Sequence, residues 1–311
     1  MTKPAILVFA YHDVGYECLN ALIQNDEYIL AVITHRDDPE EEIWFRSVEN
    51  LAQKYDIPVH KPESVNTPDW VERIRSWSPD LILSFYYRNM VHEDILTVPR
   101  LGAFNMHGSL LPKYRGRVPV NWAIIKGETE TGATLHEMVE KPDAGRIVDQ
   151  QAVPILPDDT ALEVFNKVAA AAEATLDRAL PALLGGSVML RAQDLSKGSY
   201  YGGRKPADGI INWNDSALNI HNLVRAVAPP YPGATTTIKG KPITLTRTAL
   251  APAHFTHSKP GVLNVSSTRC IALCGDGRML RVLEAQFDGR MHDEAALCTI
   301  LGVGVYPLGI Y

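Results

Sequence analysis

The sequence predicts an α/β chain: a doubly wound, mostly parallel sheet over the first two thirds, then a small OB-like open barrel. Two observations carry this. Short apolar, strand-like runs alternate with helix-like segments as far as about residue 185, the order of a sheet wrapped by helices. After about Lys205 the chain turns to short β-rich runs separated by tight turns, the order of a small barrel.

The elements follow in turn. Ile6 to Tyr11 reads as a strand and Tyr16 to Gln24 as a helix, then Tyr28 to Thr34 as a strand and Ile43 to Tyr55 as a helix. Thr67-Pro68-Asp69 supplies a capping residue, a proline for the first helical position and an acid in the first turn, so a helix should run to about Trp77. Strands are expected at Asp80 to Phe85 and Gly102 to His107, with Thr134 to Val139 and Ile147 to Ile155 as a later antiparallel pair. Thr160-Ala161-Leu162-Glu163 is a capping box, and its alanine-rich helix should stop at Gly185-Gly186. A helix from Ser216 to Ala228 ends in Pro229-Pro230-Tyr231-Pro232-Gly233. Five strands are expected beyond it: Ala234 to Ile238, Ile243 to Ala249, Gly261 to Val265, Cys270 to Cys274 and Met279 to Ala285. Gly275-Asp276-Gly277 is a hairpin signal between the last two. The domain boundary falls near 200–210.

Composition narrows the function. At 311 residues, 46% hydrophobic and 21% charged, the chain reads as an ordinary soluble globular protein. A net charge of −6 argues against a large nucleic acid as partner, because phosphate neutralisation wants a basic surplus. Cys18, Cys270, Cys274 and Cys298 form no CxxC pair and read as free, mostly buried thiols in a reducing compartment. Neither a signal-peptide core nor an apolar run long enough for a membrane helix is visible, so a cytoplasmic address without stable membrane association is expected.

Several chemistries are missing from the pattern. The first strand runs into Ala10-Tyr11-His12-Asp13-Val14-Gly15 rather than a GxGxxG turn, which disfavours NAD. His136-Glu137 meets Glu140 where HExxH needs a second histidine, so His136 reads as the polar face of a strand and no metal is expected. Ser109 sits in Gly108-Ser109-Leu110-Leu111, not GxSxG. What remains is Phe104-Asn105-Met106-His107, continuing into Gly108-Ser109-Leu110-Leu111-Pro112-Lys113-Tyr114-Arg115-Gly116-Arg117. Asn105 and His107 alternate at the end of a strand and so share one side of the sheet, at the edge where α/β ligands collect.

This loop resembles the SLLPxxRG signature of the 10-formyltetrahydrofolate-dependent formyltransferases, in which an Asn-x-His pair leads into the same loop. Asp143-Ala144-Gly145, after His136-x-Met138, matches the family's downstream Asp-x-Gly turn. Stretches from Phe9-Ala10-Tyr11-His12-Asp13 through Ser84-Phe85-Tyr86-Tyr87-Arg88 and Gly127-Glu128-Thr129-Glu130-Thr131-Gly132 to Arg225-Ala226-Val227-Ala228 are similar to one subgroup. That subgroup is the formyltransferase half of a bifunctional polymyxin-resistance protein, which acts on UDP-4-amino-4-deoxy-L-arabinose in lipid A modification. Likeness spans residues 5 to 240 and thins beyond. The subgroup's NAD-dependent decarboxylase domain is not matched; a stand-alone enzyme, a cut domain, a separate decarboxylase partner and a homo-oligomer all stay open.

The resemblance implies a Rossmann-like formyltransferase domain over 1–205 and an OB-like domain over 206–311. It implies 10-formyltetrahydrofolate as formyl donor, with neither metal nor NAD. Asn105 would bind the developing oxyanion, His107 would move the proton, and Asp143 would hold the imidazole and favour its charged form. By the same analogy the donor lies along Asn89, Met90 and Val91, along Val139, Glu140, Lys141 and Pro142, and at Arg117. For a nucleotide-sugar acceptor, Arg204, Lys205 and Arg225 are candidates for the diphosphate, and Trp213 and Tyr231 for stacking. The alternatives are methionyl-tRNA formyltransferase, disfavoured by charge and by Arg117-Val118, and a formyl-folate hydrolase, whose regulatory domain would precede a first strand placed here at residue 5. A non-catalytic sugar-nucleotide binder is disfavoured by the complete triad.

Overall fold

A computed structural model describes residues 3–254 and 259–309. The chain forms two compact bodies. The first comprises Met1–Pro119, Glu130–Pro154 and Phe165–Gly202; the second comprises Val120–Thr129, Ile155–Val164 and Gly203–Tyr311.

Along the chain come β1 (Ile6–Ala10), α1 (His12–Gln24), β2 (Ile29–Ile33), α2 (Val48–Lys54), β3 (Val59–His60) and α3 (Pro68–Trp77). Next are β4 (Leu81–Phe85), α4 (Glu93–Leu96), β5 (Ala103–His107), the two-residue β6 (Arg115–Gly116) and α5 (Pro119–Ile125). Then follow β7 (Glu130–Glu137), β8 (Ile147–Pro154), α6 (Ala161–Leu184) and the two-residue β9 (Tyr200–Tyr201). The main sheet has the order β3-β2-β1-β4-β5-β7-β8. Its first five strands are parallel, whereas β7 joins β5 antiparallel and β8 joins β7 antiparallel. Every residue of β1 and β4 is buried, as expected of central strands covered on both faces. This is the doubly wound, mostly parallel sheet the sequence predicts.

Boundaries depart where side chains are used elsewhere. α2 starts at Val48 rather than Ile43, because Ser47 Oγ accepts the Asn50 N–H (3.2 Å) and caps the helix there. The preceding Trp44 and Phe45 instead turn their rings onto His12. β7 begins at Glu130, four residues ahead of the expected strand, and ends at Glu137. The capping box of α6 is present in both directions: Thr160 N–H donates to Glu163 Oε2 (2.7 Å), and Glu163 N–H to Thr160 Oγ1 (3.4 Å).

In the second body, α7 (Ala217–Ala226) precedes β10 (Ala234–Ile238), β11 (Lys241–His254), β12 (Val262–Val265), β13 (Cys270–Leu273) and β14 (Arg278–Phe287). Then come β15 (Arg290–Asp293), α8 (Glu294–Leu301) and β16 (Gly304–Gly309). The strands close a ring, β10-β11-β14-β13-β12-β16 and back to β10, antiparallel at each step, with β15 alongside β14. The small barrel is therefore closed by the β11–β14 pairing rather than open. The expected five strands are all present, while β15 and β16 were not expected. Pro307 and two glycines give β16 a weak strand pattern. Ile220, Val224, Leu245, Leu280, Val282 and Leu297 are among the side chains filling the core.

At the carboxyl edge of the main sheet, Tyr86 follows β4 directly and His12 follows β1 after Tyr11, and both adopt positive φ (56° and 66°). The His12 ring stacks on Phe45 (4.1 Å) and meets Trp44 (4.5 Å) and Phe165 (4.7 Å) edge-on. Burial among these rings lowers its pKa to about 4. The folded protein thus resists a proton that the unfolded chain accepts near pH 6.5, so stability falls as pH drops from about 6.5 towards 4. His12→Asn keeps a residue that tolerates positive φ. In urea unfolding across this range it should remove on the order of 3 kcal/mol of the wild type's acid-side loss, while lowering stability at neutral pH.

Candidate active site

Asn105 and His107 project from the carboxyl end of β5, with Asn105 opposite His136 on β7 and His107 opposite Thr134. Thr134 fixes the loop that leaves β5. Its hydroxyl donates to Ser109 O (2.6 Å) and accepts the Leu111 N–H (3.2 Å). Gln150 Nε2 donates to the same hydroxyl and to Leu111 O, both at 2.9 Å. Ser109 Oγ donates to Lys113 O (2.7 Å), and the loop closes as β6 pairs in parallel with β9.

The loop brings a backbone carbonyl to the buried His107, whose Nε2–H donates to Tyr114 O at 2.7 Å. With that proton committed, Nδ1 is the nitrogen facing Asp143 Oδ1, 3.5 Å away. The expectation that Asp143 holds the imidazole therefore needs correction. Tyr114 O orients the ring, and Asp143 acts on it by charge across a gap too long for a strong hydrogen bond.

Asp143 is itself tightly placed. It has φ of 52°, and Oδ2 accepts the Gly116 N–H at 2.8 Å. Gln193 Nε2 donates to the carbonyls of Asp143 (3.0 Å) and Gly145 (2.6 Å). A Cβ on Gly145 would stand 1.8 Å from Glu137 O, so the Asp-x-Gly turn requires glycine there. Burial pushes the Asp143 carboxyl pKa up, but His107, His136 and the Gly116 N–H outweigh it, leaving the carboxyl well below the usual carboxylate range. It is a fixed negative charge.

His136 belongs to the same cluster, which corrects its reading as a polar strand face. It is 2% exposed. Its Nδ1–H donates to Glu137 O (2.9 Å), leaving Nε2 to accept from Asn105 Nδ2 (3.2 Å) beside Asp143 Oδ1 (3.5 Å). Asn105 is thereby turned so that its second amide proton remains available. The signal for His136 was its register opposite Asn105, which spacing within one strand does not reveal. The cluster thus presents a neutral donor, an imidazole nitrogen and a fixed carboxylate together.

The other expected residues divide. Asn89, Met90, Val139, Glu140 and Lys141 are exposed, Pro142 is half-buried, and Arg117 is exposed with Nη2 3.5 Å from Arg88 O. Val91 points its side chain into the core, so only its backbone could meet a ligand. Met90 O already accepts Asn66 Nδ2 (2.9 Å). In the second body, Trp213 is not a stacking platform: its ring is buried in the barrel core and Nε1–H donates to Thr236 Oγ1 (2.9 Å). Nor is Arg225 a phosphate ligand. It is buried, with Nε donating to Asn222 Oδ1 (2.9 Å) and Nη1 to the carbonyls of Leu156 (3.3 Å) and Asp159 (3.0 Å). Tyr231 packs against the same core, and burial raises its hydroxyl to about 12. Arg204 lies over the Trp122 ring (5.2 Å) with Nη2 donating to Asp208 O (2.8 Å), and Lys205 is exposed.

Gly145→Ala should displace Asp143 by forcing its turn away from Glu137. A loss of roughly 1–3 kcal/mol is expected from thermal unfolding; an unchanged melting temperature would contradict the contact.

A family model described as formyl transferase matches residues 2–180, and one described as formyl transferase, C-terminal domain, matches residues 204–297. Among solved structures, the sugar 3N-formyl transferase WlaRD, in the presence of dTDP and 5-N-formyl-THF, is similar at 20% identity with a TM-score of 0.71. That match covers 93% of this chain and 100% of the other. An N-formyltransferase from Helicobacter canadensis, complexed with folinic acid and dTDP-3-aminofucose, matches at 20% identity and a TM-score of 0.69, over 90% of this chain and 99% of that one. HypX from Aquifex aeolicus, in complex with tetrahydrofolic acid, matches at 18% identity and 0.63, over 97% of this chain and 47% of its own. At these identities the likeness to solved structures is one of fold; the family models reach further, and the chain belongs to the formyl transferase family.

Proposed function

We propose that this enzyme transfers a formyl group from 10-formyltetrahydrofolate to the amine of a nucleotide-linked amino sugar, UDP-4-amino-4-deoxy-L-arabinose. The observation that carries the chemistry is the cluster of the buried His107 and His136 with the half-buried Asn105 and Asp143. The donor supplies a formyl carbon bonded to a nitrogen that can leave once protonated. The cluster fits such a donor, because it offers a neutral donor for the formyl oxygen and a proton carrier beside it.

The remaining steps fall to the chain's own residues. The second Asn105 amide proton meets the oxygen on which negative charge develops, a contact whose loss typically costs ~10²–10³ in rate. As the acceptor amine bonds to the formyl carbon, its proton passes to His107 Nδ1, because Nε2 is held by Tyr114 O. Asp143 stabilises the imidazolium so formed, and the proton then goes to the departing folate nitrogen as its bond to carbon breaks. The exposed loops at Asn89–Met90 and Val139–Lys141, with Arg117, would line the donor's ring system.

The acceptor class is supported by the WlaRD and Helicobacter canadensis structures, whose ligands include dTDP and dTDP-3-aminofucose. The net charge of −6 also favours a small acceptor over tRNA. The particular sugar rests on the subgroup-like stretches of sequence, and a place in lipid A modification and polymyxin resistance follows from it.

Incubation with 10-formyltetrahydrofolate and a panel of amino-sugar nucleotides, read by product mass, should give one strongly formylated acceptor. Asn105→Ala, His107→Ala and Asp143→Ala should each lower turnover at least ~100-fold with folding intact. Transfer only to charged initiator tRNA, or wild-type rates in His107→Ala, would overturn the reading.

A further inference from the structure

The stretch that follows α6 touches the centre at two points and has no part in the mechanism above. Ile147 N–H donates to Arg191 O and Arg191 N–H to Ile147 O, both at 2.8 Å, which lays the stretch along the start of β8. Two residues on, Gln193 Nε2 donates to the carbonyls of Asp143 and Gly145. Further along, Ser199 Oγ accepts the Tyr114 N–H (2.8 Å), on the residue whose carbonyl orients His107. One short stretch thus braces both partners of the His107 ring.

Gln193 is the more telling of the two contacts. Its amide has one workable orientation, because Oε1 in the place of Nε2 would face two carbonyl oxygens. Oε1 itself is buried without a hydrogen-bond partner among the described residues, a state that costs free energy. Packing alone calls for no amide at such a place, so the side chain is retained for what its Nε2 holds. What it holds is a turn in which Asp143 has φ of 52°, a conformation that costs a non-glycine residue free energy. Without Gln193 the turn can relax, carrying the carboxylate away from His107 as far as its bond to the Gly116 N–H allows.

Resting on the function proposed above, we infer that Gln193 is a positioning residue of the transfer: it keeps the Asp143 carboxylate close to His107 and so stabilises the imidazolium formed as the amine gives up its proton. The His107 ring is faced by Asp143 from the β7–β8 connection, at 3.5 Å, and by His136 from β7, with ring centroids 6.4 Å apart. At an effective dielectric constant of ~20, a retreat of the carboxylate by about 1.5 Å weakens its hold on the imidazolium about tenfold.

Two variants of the full chain test this. Gln193→Met keeps the length and loses both donors, while Gln193→Asn stays polar but is one methylene short. Each should lower kcat about tenfold. The acid limb of the pH–rate profile should move about one unit to lower pH, because the charged, inactive form of the His107 ring is favoured less. In an Asp143→Asn background, Gln193→Met should cost no further rate. NMR titration of the His107 ring should show the same displacement of about one unit without any substrate. A loss of rate with the acid limb and the ring titration both in place would overturn the inference and leave Gln193 a packing residue. A full tenfold loss in the Asp143→Asn background would overturn it too. A wild type that formylates no nucleotide sugar would instead overturn the proposed function, and the ring titration would still decide the role of Gln193.

Discussion

The hydrogen bond from Gly116 N–H to Asp143 Oδ2 ties the two loops that make the centre, one leaving β5 and one joining β7 to β8. Much of the surrounding geometry exists to allow it. Gly116 sits at φ 99°, and a Cβ there would stand 2.1 Å from Tyr201 O, so β6 and β9 can pair closely only through glycine. On the far side, Gln193 and the bare Gly145 hold the Asp143 turn against Glu137. A carboxylate at the end of a flexible connection would swing towards water; this one is pinned by its own backbone and by that of a neighbour.

Pinning sets the charge pattern. Asp143 is ionised among buried groups, and two imidazoles compete for its field from equal distance, 3.5 Å each. Backbone carbonyls decide between them. Glu137 O takes the His136 Nδ1 proton, and Nε2 is engaged by Asn105. Tyr114 O takes the His107 Nε2 proton and leaves Nδ1 facing the carboxylate, without another partner among the described residues. One histidine becomes a strut for the amide, and the other is left as the proton carrier of the proposed reaction. Two identical side chains acquire different roles from which carbonyl each one meets.

Much of this was legible in the sequence, for identifiable reasons. The parallel strands are short apolar runs with clear turns, and α6 announces itself through a capping box. Asn105, His107 and Asp143 were picked out by the resemblance of their loops to a formyltransferase signature rather than by spacing alone, and the fold brings them together. His136 was missed because its membership depends on β5–β7 register, a relation between strands. Trp213 and Arg225 were misplaced for the converse reason: residue type suggested a ligand, but only packing shows that the indole and guanidinium are already engaged. Strand β16 escaped because closure of the ring, not local propensity, makes it a strand, and β15 because it is one only through its pairing with β14.

That closure carries a consequence for how the second body comes into being. β16 is the staple between β10 and β12, yet it follows both in the chain. Until Gly304–Gly309 has been synthesised and threaded into place, β10 and β12 each present a bare row of peptide groups able to pair with another nascent molecule. The ring cannot mature progressively from its amino end, and its long-range pairings are of the slow-forming kind. Premature termination before β16 would therefore yield an adhesive species, not a slightly shorter barrel.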